Sequence, residues 1–154
     1  MNTPQIILCP GQGAQAVSMG KGWFDTLPEA RATFEAADRH LGNRLGIKLS
    51  ELCFAGPAER LNQTDASQPA IFVTSIACWR GMLARAGLGA GDIPLAATAG
   101  LSLGEYTALV VAGAMSFEDG LELVTLRGNA MQEAADSAEA RAGGGGAMLA
   151  LIGA

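Results

Sequence analysis

Short continuous apolar runs alternate along this chain with longer stretches in which apolar residues recur every three or four positions. The first run, Gln5-Ile6-Ile7-Leu8-Cys9, is β-branched and stops at Pro10-Gly11, the pattern of a buried strand ending in a sharp turn. Between Pro28 and Leu41 the apolar positions Ala30, Phe34, Ala37 and Leu41 are separated by charges, with Gly42 following, which predicts an amphipathic helix with proline in its first turn. Residues 45–64 mix short signals: turns at Gly46 and Gly56-Pro57, and a short helix over Ala58–Leu61. Ser67-Gln68-Pro69 reads as a cap with proline near a helix start, opening a long helix through Ile71, Val73, Ile76 and Leu83 that ends at Gly87.

A second strand is predicted from Pro94 to Thr98, and a second glycine-punctuated turn leads into a helix that stops near Gly113. Ser116-Phe117-Glu118-Asp119 matches a capping box, so a helix should run from Phe117 to about Glu133. Residues 136–146 are polar, then glycine-rich, without periodicity, and read as a connector. It leads into an apolar, strand-like run over residues 147–152. A strand with no following sequence to cover it suggests that the chain breaks off at the first element of a second unit. The alternation of strands and helices before it predicts an α/β fold with a largely parallel sheet.

The turn after the second strand carries the first candidate chemistry. In Gly100-Leu101-Ser102-Leu103-Gly104 a serine stands between strand and helix with glycine two residues to either side, as in a nucleophile elbow, where the serine backbone is strained and its flanks must be small. The first free N–H groups of the helix then face the position where an oxyanion would form, and Leu103 would supply one. With 21 glycines in 154 residues the spacing alone is a weak signal, and an ordinary helix-cap serine is the competing reading.

Composition narrows the field. A chain of 154 residues, 49% hydrophobic and 16% charged, is a globular domain rather than a disordered one. No apolar stretch is long enough to cross a bilayer and the N-terminus lacks the pattern of a signal peptide, so no membrane partner and a cytoplasmic location are expected. Cys9, Cys53 and Cys78 are odd in number and widely spaced, and His40 is the only histidine. Neither a disulfide framework nor a metal site is expected, and the cysteines read as buried thiols. The net charge of -5 and the lack of a dense Lys/Arg cluster argue against nucleic acid as a partner.

Three further positions carry alternatives. Gly11-x-Gly13-x-x-Ala16 formally satisfies a dinucleotide fingerprint, but the acids on schedule, Glu29 and Glu35, fall in a predicted helix. A Walker loop fails, because Gly22 replaces the required Ser or Thr after Lys21. The competing reading sets this turn beside the elbow, with Gln12 as a second oxyanion donor. Arg127 borders the apolar stripe of its helix between Val124 and Met131, either as a structural ion pair or as a clamp for a substrate carboxylate. His40 closes a helix and reads as a partner of its dipole; no histidine follows Ser102 to activate it.

Taken in order, Pro10-Gly11-Gln12-Gly13-Ala14-Gln15, Gln68-Pro69-Ala70, Gly100-Leu101-Ser102-Leu103-Gly104-Glu105-Tyr106, Arg127-Gly128-Asn129-Ala130-Met131-Gln132 and Gly146-Ala147-Met148 resemble the malonyl-CoA:acyl carrier protein transacylases over nearly the whole chain. The acyltransferase domains of polyketide and fatty acid synthases share this set. The resemblance implies an α/β, hydrolase-like acyltransferase subdomain over residues 1–135, the connector 136–146, and in residues 147–154 the first strand of a truncated ferredoxin-like subdomain. It implies that Ser102 is acylated by malonyl-CoA and passes the malonyl group to the phosphopantetheine thiol of acyl carrier protein in fatty acid biosynthesis, with malonyl-CoA as substrate and no cofactor. Gln12 and Leu103 would donate to the oxyanion and Arg127 would grip the malonyl carboxylate. An acyltransferase of polyketide synthesis and a non-catalytic fragment that binds CoA or carrier protein are the alternatives. Two departures stand out: Leu101 occupies the place of the usual histidine before the serine, and the family's catalytic histidine belongs beyond Ala154, so that impaired activity is expected of this chain alone.

Overall fold

The computed structural model describes residues 3–142. Strand β1 (Gln5–Cys9) is followed by α1 (Lys21–Thr26), α2 (Pro28–Leu41), α3 (Leu49–Ala55), α4 (Ala58–Leu61) and α5 (Thr64–Ala86). A 3-10 turn (Ala90–Asp92) then leads to strand β2 (Leu95–Gly100), α6 (Leu103–Val111) and α7 (Phe117–Ala142). The two strands pair in parallel, with Cys9 opposite Gly100. Parallel pairing puts both strand C-termini at the same edge, so the turn after β1 and the turn after β2 emerge side by side.

The α/β class and its parallel sheet are as expected. Alternation along β1 turns Ile7 toward the core and leaves Ile6 and Leu8 exposed, as the two-residue period of a strand requires.

The spine of the core is α5, which packs against α2, α3, α4, α6 and α7. Eight consecutive residues of it, Ala66 to Val73, are buried, so no face of this part of the helix meets water. A helix buried all round has no amphipathic stripe, and here every residue but Gln68 is apolar or small. Around it close Phe34, Leu49, Leu52, Leu61, Leu121 and Val124, each no more than 1% exposed. Phe24, Phe34 and Phe54 meet edge-on or tilted, with centroids 5.0–6.0 Å apart, the geometry that aromatic quadrupoles favour.

Several boundaries differ from the sequence-based expectation, and those at the starts of α5 and α3 have a tertiary cause. Helix α5 opens at Thr64 rather than at Ser67, which places Pro69 inside it. Its first N–H, from Thr64, is capped by Gln132 Oε1 of α7 at 2.8 Å, and Asp65 in its first turn takes both guanidinium nitrogens of Arg60 at 2.8 Å. Helix α3, a mixed region in the sequence, starts where Asp38 of α2 accepts bonds from the Ser50 N–H and hydroxyl at 3.0 and 2.6 Å. The caps from Gln132 and Asp38 come from other elements, 68 and 12 residues away, so no local pattern marks them.

Helix α7 begins as expected, with Ser116 Oγ accepting from the Asp119 N–H at 3.0 Å. The reciprocal bond of a capping box is replaced by the Ser116 hydroxyl donating to Asp119 Oδ2 at 2.7 Å. The helix continues to Ala142, so residues 136–142, read as the start of the connector, extend it. The glycines 143–146 and the strand expected at 147–152 lie outside the described residues.

The three cysteines are free, and burial pushes the Cys53 thiol up to about 12, which leaves it protonated and inert at neutral pH. No described helix is long and apolar enough to cross a membrane.

Replacing Phe34 by alanine should remove the centre of the aromatic cluster and cost about 3–5 kcal/mol. Urea unfolding followed by circular dichroism measures this; a loss below about 1 kcal/mol would contradict the assigned core.

Candidate active site

Ser102 sits at the junction of β2 and α6, with φ 56° and ψ -109°. A positive φ is uncommon for a residue with a Cβ, costs roughly 1–3 kcal/mol and persists only where the surroundings impose it. Here they do. A Cβ on Gly100 would lie 2.2 Å from the Gly104 carbonyl carbon, and one on Gly104 would lie 2.4 Å from the Cys9 carbonyl oxygen. Helix α6 therefore starts in backbone contact with both strand ends, and the chain must turn sharply at Ser102 to enter it.

The side chain of Ser102 makes no capping bond to α6, which removes the ordinary helix-cap reading. Its Oγ instead accepts a hydrogen bond from Arg127 Nη2 at 2.6 Å. Leu103, the first residue of α6, is fully buried, and its N–H is one of the orphan donors of the helix start. Leu101, where a histidine was expected from the family pattern, is 86% exposed.

The glycine turn after β1 abuts this elbow: a Cβ on Gly11 would stand 3.0 Å from the Leu101 carbonyl oxygen. Gln12 follows, its Nε2 donating to Thr64 Oγ1 at 3.2 Å, and Gly13 N–H is held by Gln15 Oε1 at 2.8 Å. The dinucleotide reading of this turn needs a helix that opens at the glycines. The next helix begins only at Lys21, so there is no helix N-terminus there to hold a pyrophosphate.

Arg127 reaches the elbow from α7. Its Nη1 donates to Gln68 Oε1 at 2.7 Å while Nη2 donates to Ser102, and the guanidinium carbon lies 6.0 Å from the centre of the Tyr106 ring. Both hydrogen-bond partners are neutral, and no carboxylate among the described residues pairs with this cation. The structural ion pair considered for Arg127 is therefore not what the geometry shows. Gln68 received no role of its own from the sequence; it stood only within the Gln68-Pro69-Ala70 motif and the expected helix cap.

His40 is not brought to the elbow. It lies in the last turn of α2, with Nε2 3.0 Å from Glu122 Oε2, to which Arg44 also donates at 2.6 Å. The hydrogen bonds from Arg44 and His40 hold the Glu122 carboxyl below the usual range. No metal-binding cluster occurs among the described residues. The arrangement thus offers a serine on a strained backbone, a glycine turn abutting it, and an unneutralised guanidinium at hydrogen-bond distance from the hydroxyl.

Comparison with known proteins gives this arrangement relatives. Residues 6–148 match the family described as acyl transferase domain. The chain is 47% identical over 134 residues to the mitochondrial malonyl-CoA-acyl carrier protein transacylase of Mus musculus, covering 86% of this chain and 33% of that protein. It is 42% identical over 146 residues to the malonyl CoA-acyl carrier protein transacylase of Bacillus subtilis, covering 95% of this chain and 41% of the relative. Among solved structures, a malonyl-transacylase in complex with its type II polyketide acyl-carrier protein is 39% identical, with a TM-score of 0.73 over 86% of this chain and 40% of that one. The chain thus spans about a third to two fifths of the length of these proteins.

Gly104→Ala should force α6 away from the Cys9 carbonyl and cost about 1–3 kcal/mol, with slower acylation of Ser102 by malonyl-CoA. Unfolding and intact-mass measurement on the same variant check this; wild-type values in both would refute the close-contact account of the elbow.

Proposed function

The chain belongs to the acyl transferase family, and from that premise we propose that it carries the nucleophile half of a malonyl transfer site acting between malonyl-CoA and acyl carrier protein in fatty acid synthesis. The observation that carries the reading is the 2.6 Å contact between Arg127 Nη2 and Ser102 Oγ. A malonyl group esterified to Oγ places its free carboxylate only a carbonyl carbon and a methylene away from that oxygen. A guanidinium beside the nucleophile, with no carboxylate of its own, is thus within reach of the carboxylate of a three-carbon diacid, and its fork suits two parallel bonds.

In this reaction Ser102 Oγ attacks the thioester carbonyl of malonyl-CoA. The carbon–sulfur bond breaks, CoA leaves as its thiol with the proton that Ser102 gives up, and malonyl remains as an oxygen ester. The phosphopantetheine thiol of the carrier protein then attacks that ester, the carbon–oxygen bond breaks and the proton returns to Ser102. In both halves negative charge develops on the carbonyl oxygen, where the backbone N–H groups of Leu103 and Gln12 would receive it. Neither N–H is engaged by an acceptor among the described residues, which supports the assignment.

The hydroxyl also needs a base. The hydrogen-bond partner of Ser102 Oγ among the described residues is a guanidinium, which stays protonated and cannot accept a proton. We therefore propose that this chain alone transfers malonyl slowly. The reading places the protein in the cytoplasm, where three unpaired thiols stay reduced.

Incubation with malonyl-CoA followed by intact-mass measurement should show a slowly accumulating malonyl adduct that Ser102→Ala abolishes. Arg127→Leu should lower its formation by roughly 10- to 100-fold, corresponding to the loss of a charged hydrogen-bonded contact of about 1.5–3 kcal/mol. An adduct that survives Ser102→Ala would refute the nucleophile, and rapid transfer to carrier protein by the purified chain would refute the missing base.

A further inference from the structure

The functional reading leaves Gln68 unused. It is fully buried, yet it is polar, sits at the residue before Pro69 in the continuously buried part of α5, and spends its carboxamide on two residues of α7. Its Oε1 accepts from Arg127 Nη1 at 2.7 Å and its Nε2 lies 3.2 Å from Met131 Sδ. The amide orientation is set by chemistry, since the reverse would turn two N–H donors toward a guanidinium that has only donors.

We propose that Gln68 is the positioning residue for carboxylate selection, holding Arg127 at the elbow so that the site distinguishes carboxylated acyl groups from plain ones. The inference rests on the reading of Arg127 as the carboxylate clamp. An arginine side chain has many rotamers, and the half-buried Arg127 borders solvent. Fixing one nitrogen to a buried acceptor leaves the rest of the fork aimed at Ser102 before substrate arrives, so less ordering is charged to binding. Tyr106, with its ring 6.0 Å from the guanidinium carbon, limits motion from the other side.

The neutrality of the anchor matters as much as its position. A glutamate at 68 would also hold Nη1, but its charge would compete with the substrate carboxylate for the same cation. Glutamine orients the guanidinium and leaves its charge unspent. Arg127 then has no neutralising partner among the described residues until an acid arrives. A plain acyl group presents no carboxylate, and for it the guanidinium remains on Ser102 Oγ, where it occupies a lone pair of the nucleophile.

The test uses the full 154-residue chain, labelled with nitrogen-15 in arginine, as wild type, Gln68→Leu and Gln68→Glu. The Arg127 side-chain resonance is assigned with Arg127→Lys, and its relaxation is compared with acylation of Ser102 by malonyl-CoA and by acetyl-CoA. In the wild type the Arg127 side chain should be ordered. Gln68→Leu should free it and lower the malonyl-to-acetyl ratio by about tenfold, the effect of one charge-assisted hydrogen bond. Gln68→Glu should keep it ordered while still lowering the ratio. Equal order of Arg127 in wild type and Gln68→Leu would overturn the anchor, as would mobility in Gln68→Glu matching that in Gln68→Leu. An unchanged ratio in Gln68→Leu, with Arg127 freed, would overturn its part in selection. Wild-type chain that forms no malonyl adduct while Arg127 loosens in Gln68→Leu would support the anchor and refute the malonyl reading instead.

Discussion

Where α6 leaves the sheet, backbone meets backbone with no side chain between. Gly104 lies against the Cys9 carbonyl and Gly100 against Gly104 itself, so the helix start is wedged against the ends of both strands. That contact requires the positive φ at Ser102, directs its hydroxyl out of the helix rather than onto its own backbone, and leaves the first helix N–H groups facing the same space. Parallel pairing of the strands then sets the Gly11 turn against Leu101. The strained serine, the donors and the close glycines are thus consequences of one packing constraint.

The constraint is backed by close packing on the far side of the molecule. Helix α5, buried along its first half, fixes the spacing between the sheet side and α7, and Gln132 and Gln68 tie its N-terminal region to α7 at 2.8 and 2.7 Å through Thr64 and Arg127. Close packing of this kind transmits position without slack. Arg127 stands on α7 but is aimed by α5, and it meets a serine presented by the sheet and α6. Four elements therefore agree on the place of one guanidinium, although none of them determines it alone.

Legibility in the sequence followed the range of the forces involved. The strand β1, helix α2 and the start of α7 were readable because proline, glycine, caps and apolar periodicity act within a few residues. Ser102, Leu103 and Arg127 were readable as candidates by residue type and neighbours, and the structure brings Ser102 and Arg127 into direct contact. The start of α5 at Thr64, the existence of α3, and the length of α7 to Ala142 were not. The first two depend on caps supplied across the fold by Gln132 and Asp38, and polar residues after Glu133 carried no apolar period to signal continuation. The role of Gln68 was equally hidden, since a glutamine beside proline in a motif does not say what it faces.

By itself the amino-acid sequence determined the two strands and the longer helices, the glycine-flanked turn and the family to which these motifs point, because local stereochemistry and residue order encode those directly. Only the tertiary structure decided that Ser102 is not a helix cap, that Arg127 has neutral partners rather than a carboxylate, and that Gln68 links α5 to the elbow. Those outcomes rest on which atoms lie within about 3 Å after residues 25 to 59 positions apart have packed together. A hydrogen bond across such a separation depends on the register of whole elements, which no single stretch of sequence contains.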